Sequence, residues 1–76
     1  MTVYKVIVTL KNGSHRIMRA TKDIVAHIVT EFRKMQHNIF NDVVCVVVNG
    51  TVLVLNDCEN MKFINEYTRE EFLAIS

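Results

Sequence analysis

The stretch Val43-Val44-Cys45-Val46-Val47-Val48-Asn49-Gly50-Thr51-Val52-Leu53-Val54-Leu55 decides the fold. Two β-branched, apolar runs flank Asn-Gly, a dipeptide that tolerates the positive φ angles a two-residue hairpin turn demands. With Asn49 and Gly50 at the turn, Val48 pairs with Thr51, Val46 with Leu53 and Val44 with Leu55 on one face. Val47 then pairs with Val52, and Cys45 with Val54, on the other. A hairpin with one wet side alternates apolar with polar residues. This one is apolar on both sides, so both faces are expected to be covered, by the rest of the chain or by another molecule.

Upstream, Thr21 to His37 has the pattern of a helix. Ile24, Ile28, Phe32 and Met35 recur at spacings of four, four and three, and Val25 and Val29 widen the stripe. Thr21 is placed to cap it and Asp23 sits in its first turn, where negative charge suits the dipole. Arg33, Lys34 and His37 fall in the last turns, where positive charge does. Asn38 to Asp42 leaves the helix and enters the valine-rich hairpin.

Earlier still, Val3–Leu10 and Ser14–Ala20 form a second hairpin around Lys11-Asn12-Gly13. A three-residue loop with Gly13 in the left-handed region pairs Leu10 with Ser14, Val6 with Met18 and Tyr4 with Ala20. That register puts Met18 and Ala20 beside Val6 and Tyr4 on the core face. A two-residue turn would instead drive Arg19 into the core, which is costly without a partner. The outer face then carries Lys5, Ile7, Thr9, His15, Ile17 and Arg19.

Downstream, Met61-Lys62-Phe63-Ile64 reads as a fifth strand after the polar turn Asn56–Asn60, although it would also continue a helix begun near Asp57. Thr68-Arg69-Glu70-Glu71 has the form of a capping box and predicts a short helix, Arg69 to Ile75, with Phe72 and Ile75 inward. The expected fold is α+β in the order β-β-α-β-β-(β)-α. Its antiparallel sheet is built of two hairpins, four or five strands in all, with one long helix on one face.

Composition narrows the function. Seventy-six residues, half of them apolar, make one domain, 1–76. Pro is absent, and both glycines follow Asn, which is turn usage rather than linker usage. The longest strictly apolar run, Val43 to Val48, is far short of the roughly 20 residues of a membrane span. With no signal-peptide pattern at the N-terminus, a cytoplasmic protein is expected.

Residues 1–40 hold seven Lys and Arg against two Asp and Glu, a surplus of five. Residues 41–76 hold two against six, a deficit of four. If the halves occupy different sides of the fold, the molecule is a charge dipole.

Neither cysteine has a metal-ligand spacing with His15, His27 or His37, so no metal is expected. Cys45, set among valines, reads as a small buried apolar residue, and Cys58 between Asp57 and Glu59 is a poor nucleophile. A Cys45–Cys58 disulfide does not suit an intracellular chain. Neither glycine forms part of a phosphate-cradling loop, and the carboxylates near the C-terminus read as solvated charges. No catalytic residue, cofactor, small-molecule substrate or enzymatic activity is expected.

The remaining reading is an interaction module whose partner is a protein or a second copy. Its contact residues are expected on the hairpin face, Val44, Val46, Val48, Leu53 and Leu55, together with Ile7 and Ile17. The alternative is a nucleic-acid-binding regulator using Lys5, His15, Arg19, Arg33, Lys34 and His37, since a phosphate patch needs only clustered cations. Against it, sheets that read single strands expose aromatics, and this outer face offers isoleucines. Two Asn-Gly hairpins around one helix in a short, proline-free chain resemble, in architecture only, small phage- or plasmid-borne proteins. That resemblance implies an accessory or inhibitor protein.

Overall fold

The computed structural model describes residues 2–37 and 42–75. The expected path of Asn38–Asn41 therefore lies outside the described residues, as does the inward placement of the Ile75 side chain. The elements run β1 (Val3–Leu10), β2 (His15–Thr21), α1 (Lys22–Gln36), β3 (Cys45–Val48), β4 (Thr51–Val54), a 3-10 turn (Leu55–Asp57), β5 (Cys58–Asn65) and β6 (Glu71–Ile75). The fold is α+β, with one helix packed against antiparallel strands.

The first hairpin forms in the expected register, Val6 opposite Met18 and Tyr4 opposite Ala20. Its loop is set by Gly13 at φ +90° and by the Leu10 N–H, which donates to the Ser14 carbonyl at 2.8 Å. Asn49 (φ 52°) and Gly50 (φ 77°) make the expected turn of the second hairpin, pairing Val48 with Thr51 and Val46 with Leu53. Both angles are positive, the signature of a type I′ turn.

Two arrangements differ from expectation. The hairpins do not share a sheet. β1 and β2 belong to a four-stranded sheet in the order β2-β1-β5-β6, whereas β3 and β4 form a two-stranded ribbon of their own. The place beside β1 goes to β5, which matches it side chain for side chain. Val6 lies opposite Phe63 and Val8 opposite Met61, all four fully buried. A register shift between Thr9 and Leu10 marks a bulge near the start of β5.

The C-terminal helix is also absent, because Glu71–Ile75 is the edge strand β6. Arg69 at φ +67° cannot continue a helix. Asn65 organises a turn instead. Its side-chain oxygen accepts from the Tyr67 and Thr68 N–H groups at 2.9 and 3.1 Å, and its carbonyl accepts from Arg69 N–H at 2.8 Å. The Thr68 hydroxyl oxygen accepts from Glu70 N–H, two residues on, rather than from Glu71 as a capping box requires. Seven residues hold little intrinsic helicity, and Phe72 stacks on Phe63 at 4.8 Å in the strand instead.

Helix α1 covers one face of the sheet. Val25, Ile28 and Phe32 are buried; Ile24, Val29 and Met35 pack against the same core. The last turn closes as the His37 N–H donates to the Arg33 and Lys34 carbonyls. The ribbon packs beside α1 and the 3-10 turn, with Val46, Val48, Leu53 and Leu55 inside a single core shared with the sheet. Asn49 pins the ribbon's tip to β2 by donating to the Arg19 carbonyl at 2.7 Å. Asn56 holds its base, accepting from Val44 N–H at 2.8 Å and donating to the Asp42 carbonyl at 3.0 Å.

Candidate functional site

Among the described residues strand alternation leaves two apolar surfaces open, apart from Phe72, which is 45% exposed at the edge of the α1 side. The first is the outer face of the ribbon. The hairpin face expected to meet a partner is the core face: Val46, Val48, Leu53 and Leu55 are buried and Val44 half-buried. A partner would meet the opposite side, where Val47 is 65% and Val52 56% exposed, with Val43 nearby. Cys45 is on this side too, exposed rather than buried among its valine neighbours, because odd-numbered residues of β3 point away from α1.

The second surface is the face of the four-stranded sheet turned away from α1. Alternation brings one row across all four strands, Ile17, Ile7, Lys62 and Leu73. The neighbouring row is Arg19, Lys5, Ile64 and Glu71. Ile17 is 64% and Leu73 53% exposed, while Ile7 and Ile64 are half-buried. A shallow hollow of about 490 Å³ lies on this face, bordered by Ile7, Thr9, His15, Lys62 and Leu73.

The charges on this face are largely matched to one another. Arg19 grips Glu66 with two bonds, Nε to Oε1 at 2.9 Å and Nη2 to Oε2 at 2.6 Å. Those bonds hold the Glu66 carboxyl below the usual carboxylate range and push the Arg19 guanidinium further up. Lys62 pairs with Glu71 at 3.2 Å. His15 Nδ1 and the Thr9 hydroxyl share a hydrogen bond of 3.2 Å.

Of the expected contact residues, Ile7 and Ile17 are on this open face. Ile64, Lys62, Glu71 and Leu73 complete it, and the sequence alone does not single them out. Reading Arg69–Ile75 as a helix hid the alternation of Phe72 and Ala74 inward against Glu71 and Leu73 outward. The six residues of the nucleic-acid reading are divided. Lys5, His15 and Arg19 occupy the open face, whereas Arg33, Lys34 and His37 sit at the end of α1, which covers the other face. Lys34 also pairs with Glu31 at 3.4 Å.

Both thiols are free. Cys58 is fully buried and its thiol donates to the Val54 carbonyl at 3.4 Å. Burial, and then the charge of Asp57, push its pKa up, which disfavours the reactive thiolate. Among the described residues no three His, Cys, Asp or Glu side chains cluster as metal ligands, and no helix is long and apolar enough to cross a membrane. No family model matches this chain, and neither a curated protein nor a solved structure is significantly similar to it.

Proposed function

We propose that this chain is a non-enzymatic protein-interaction module, of the accessory or inhibitor kind, that acts by binding a protein through the open face of its four-stranded sheet. One observation carries the reading. The row Ile17, Ile7, Lys62 and Leu73, three of its four side chains aliphatic, runs across the open face of a sheet whose other face packs against α1. Exposed apolar side chains gathered on one face among charged ones are characteristic of protein contact sites. The local matching of Arg19 with Glu66 and Lys62 with Glu71 lowers the cost of bringing such a face against another protein.

The nucleic-acid alternative has less support, since its six residues fall on two faces and Arg19 is already engaged by Glu66. Affinity capture with the immobilised chain tests the proposal. Retention of a defined protein, lost in Ile17→Lys and Leu73→Lys and kept in Val47→Lys, is the expected result. Loss in Val47→Lys alone would move the contact to the ribbon. Retention of only DNA or RNA, steeply salt-dependent and weakened by Arg19→Ala or Arg33→Ala, would replace the proposal with the alternative.

A further inference from the structure

We infer that the partner on the open sheet face is a second copy of this chain, packed face to face about a two-fold axis that runs parallel to the strands between β1 and β5. This rests on the reading of that face as a contact surface and names its occupant. A rotation about that axis lays β2 over the second copy's β6, and β1 over its β5, without changing rows. Ile17 then meets the second copy's Leu73, so the two most exposed aliphatics of the face cover each other. In the next row Arg19 meets the second copy's Glu71, and Lys5 meets its Ile64.

Charge complementarity is what selects this arrangement. The β2 and β1 side of the face carries Lys5 and Arg19 with no carboxylate on either strand, and the β5 and β6 side carries Glu71 together with Lys62, which Glu71 neutralises and which the rotation lays over the second copy's Ile7. The rotation places each side over its opposite. Because Glu71 already holds Lys62 and Arg19 already holds Glu66, the contact joins two pairs into a chain of alternating sign. It runs Lys62, Glu71, then Arg19 and Glu66 of the other copy, and occurs twice by symmetry. Aligned sheet packing rotates two sheets by about 30° and shifts the outer strands by about one residue, a distance a long arginine side chain spans.

The face is at the small end of what a dimer needs. Four strands about 4.8 Å apart, averaging seven residues at about 3.3 Å each, project to roughly 440 Å² per copy. Both copies together reach roughly 900 Å² before the roughness of the side chains is counted, which approaches the 1,200–2,000 Å² of stable interfaces. The ribbon's outer face, two strands of four residues, projects to only about 130 Å². It also has no charged side chain among Val43, Cys45, Val47, Val52 and Val54 to set a register.

Sedimentation of the full chain tests this up to about 200 µM, with melting curves to show that each variant is folded. The wild type should be a dimer; Ile17→Lys and Leu73→Lys should be folded monomers; Val47→Lys should remain dimeric. Arg19→Glu and Glu71→Arg should each weaken the dimer by about tenfold or more, through two like-charge contacts apiece. Mixed in equal amounts, those two variants should associate more tightly than either does alone, because the mixed dimer sets opposite charges against each other at both inter-copy contacts.

A folded wild type that stays monomeric overturns the inference. So does a dimer lost only in Val47→Lys, or a mixture no tighter than its components. A monomeric result leaves the open face available to a different protein, which the capture experiment detects separately. A failed capture alongside a dimer that meets these expectations would count against a foreign partner and not against the second copy.

Discussion

At Asn12-Gly13 only the glycine has positive φ, and the Asn12 side chain turns back to accept from Ser14 N–H at 2.9 Å; at Asn49-Gly50 both residues are left-handed. The same dipeptide thus closes two hairpins of different loop length, and the flanks decide what each hairpin becomes. β1 alternates strictly, Val6 and Val8 inward against Lys5, Ile7 and Thr9 outward, and is paired on both sides, by β2 and by β5. β3 and β4 are valine-rich on both faces and pair only with each other. The lesson is that a continuous valine run does not mark the larger open face. The sheet with charges interleaved on its outer face offers more area and more orientation than the purely apolar ribbon.

The sharpest way to separate the two regions is thiol chemistry. Cys45, exposed on the ribbon's outer side, should react readily with a maleimide, and Cys58, buried at the start of β5, should be protected by the opening free energy. At a stability of about 5 kcal/mol that protection amounts to roughly 10³–10⁴-fold in rate, read by mass spectrometry of each site with time. Equal rates would mean that the start of β5 opens freely.

Truncation of the core probes whether ribbon and sheet stand or fall together. Phe63→Ala should cost about 3–5 kcal/mol and Leu53→Ala about 2–5 kcal/mol in urea unfolding. Both variants should keep a single transition, since the two side chains belong to one core. A second transition in Leu53→Ala would instead make the ribbon an independent unit.

The turns come next. A Cβ added at Gly13 or Gly50 meets nothing within 4 Å, so Gly→Ala at either place pays only for its left-handed backbone. About 1–2 kcal/mol is expected at each, visible as a lowered melting temperature.

Smallest is the effect of acid on the Arg19–Glu66 pair. The folded Glu66 carboxyl lies below its ordinary value, so its contribution is fully present above about pH 4.3 and is lost as pH falls through the folded pKa. Between pH 7 and 2 the wild type should lose slightly more stability than Glu66→Gln, and high salt should erase the difference.

Local chemistry made much of this readable in advance. The stripe of α1 was legible because i, i+3 and i+4 neighbours lie within one element. Both turn types and both hairpin registers were legible because Asn-Gly and its flanks fix them over a dozen residues. The central place of β5 was not, since nothing near Met61 or Phe63 announces that their partners are Val8 and Val6. The same holds for β6. Thr68-Arg69-Glu70-Glu71 carries a real helix-start pattern, and only the stacking of Phe72 on Phe63 and the turn made by Asn65 overrule it. Of the open face, Ile7 and Ile17 were legible from the first hairpin, while Ile64 and Leu73 depended on those distant pairings.

The bond between β1 and β5 also sets the order of events during synthesis. Val6 waits for Phe63, so the emerging chain builds its first hairpin and its helix while one flank of β1 stays unzipped. Chains rich in such distant pairings fold more slowly than helical bundles. Until β5 arrives, β1 has one edge without a partner and Val6 and Val8 without the cover of Phe63 and Met61, the kind of transient surface on which chains associate wrongly.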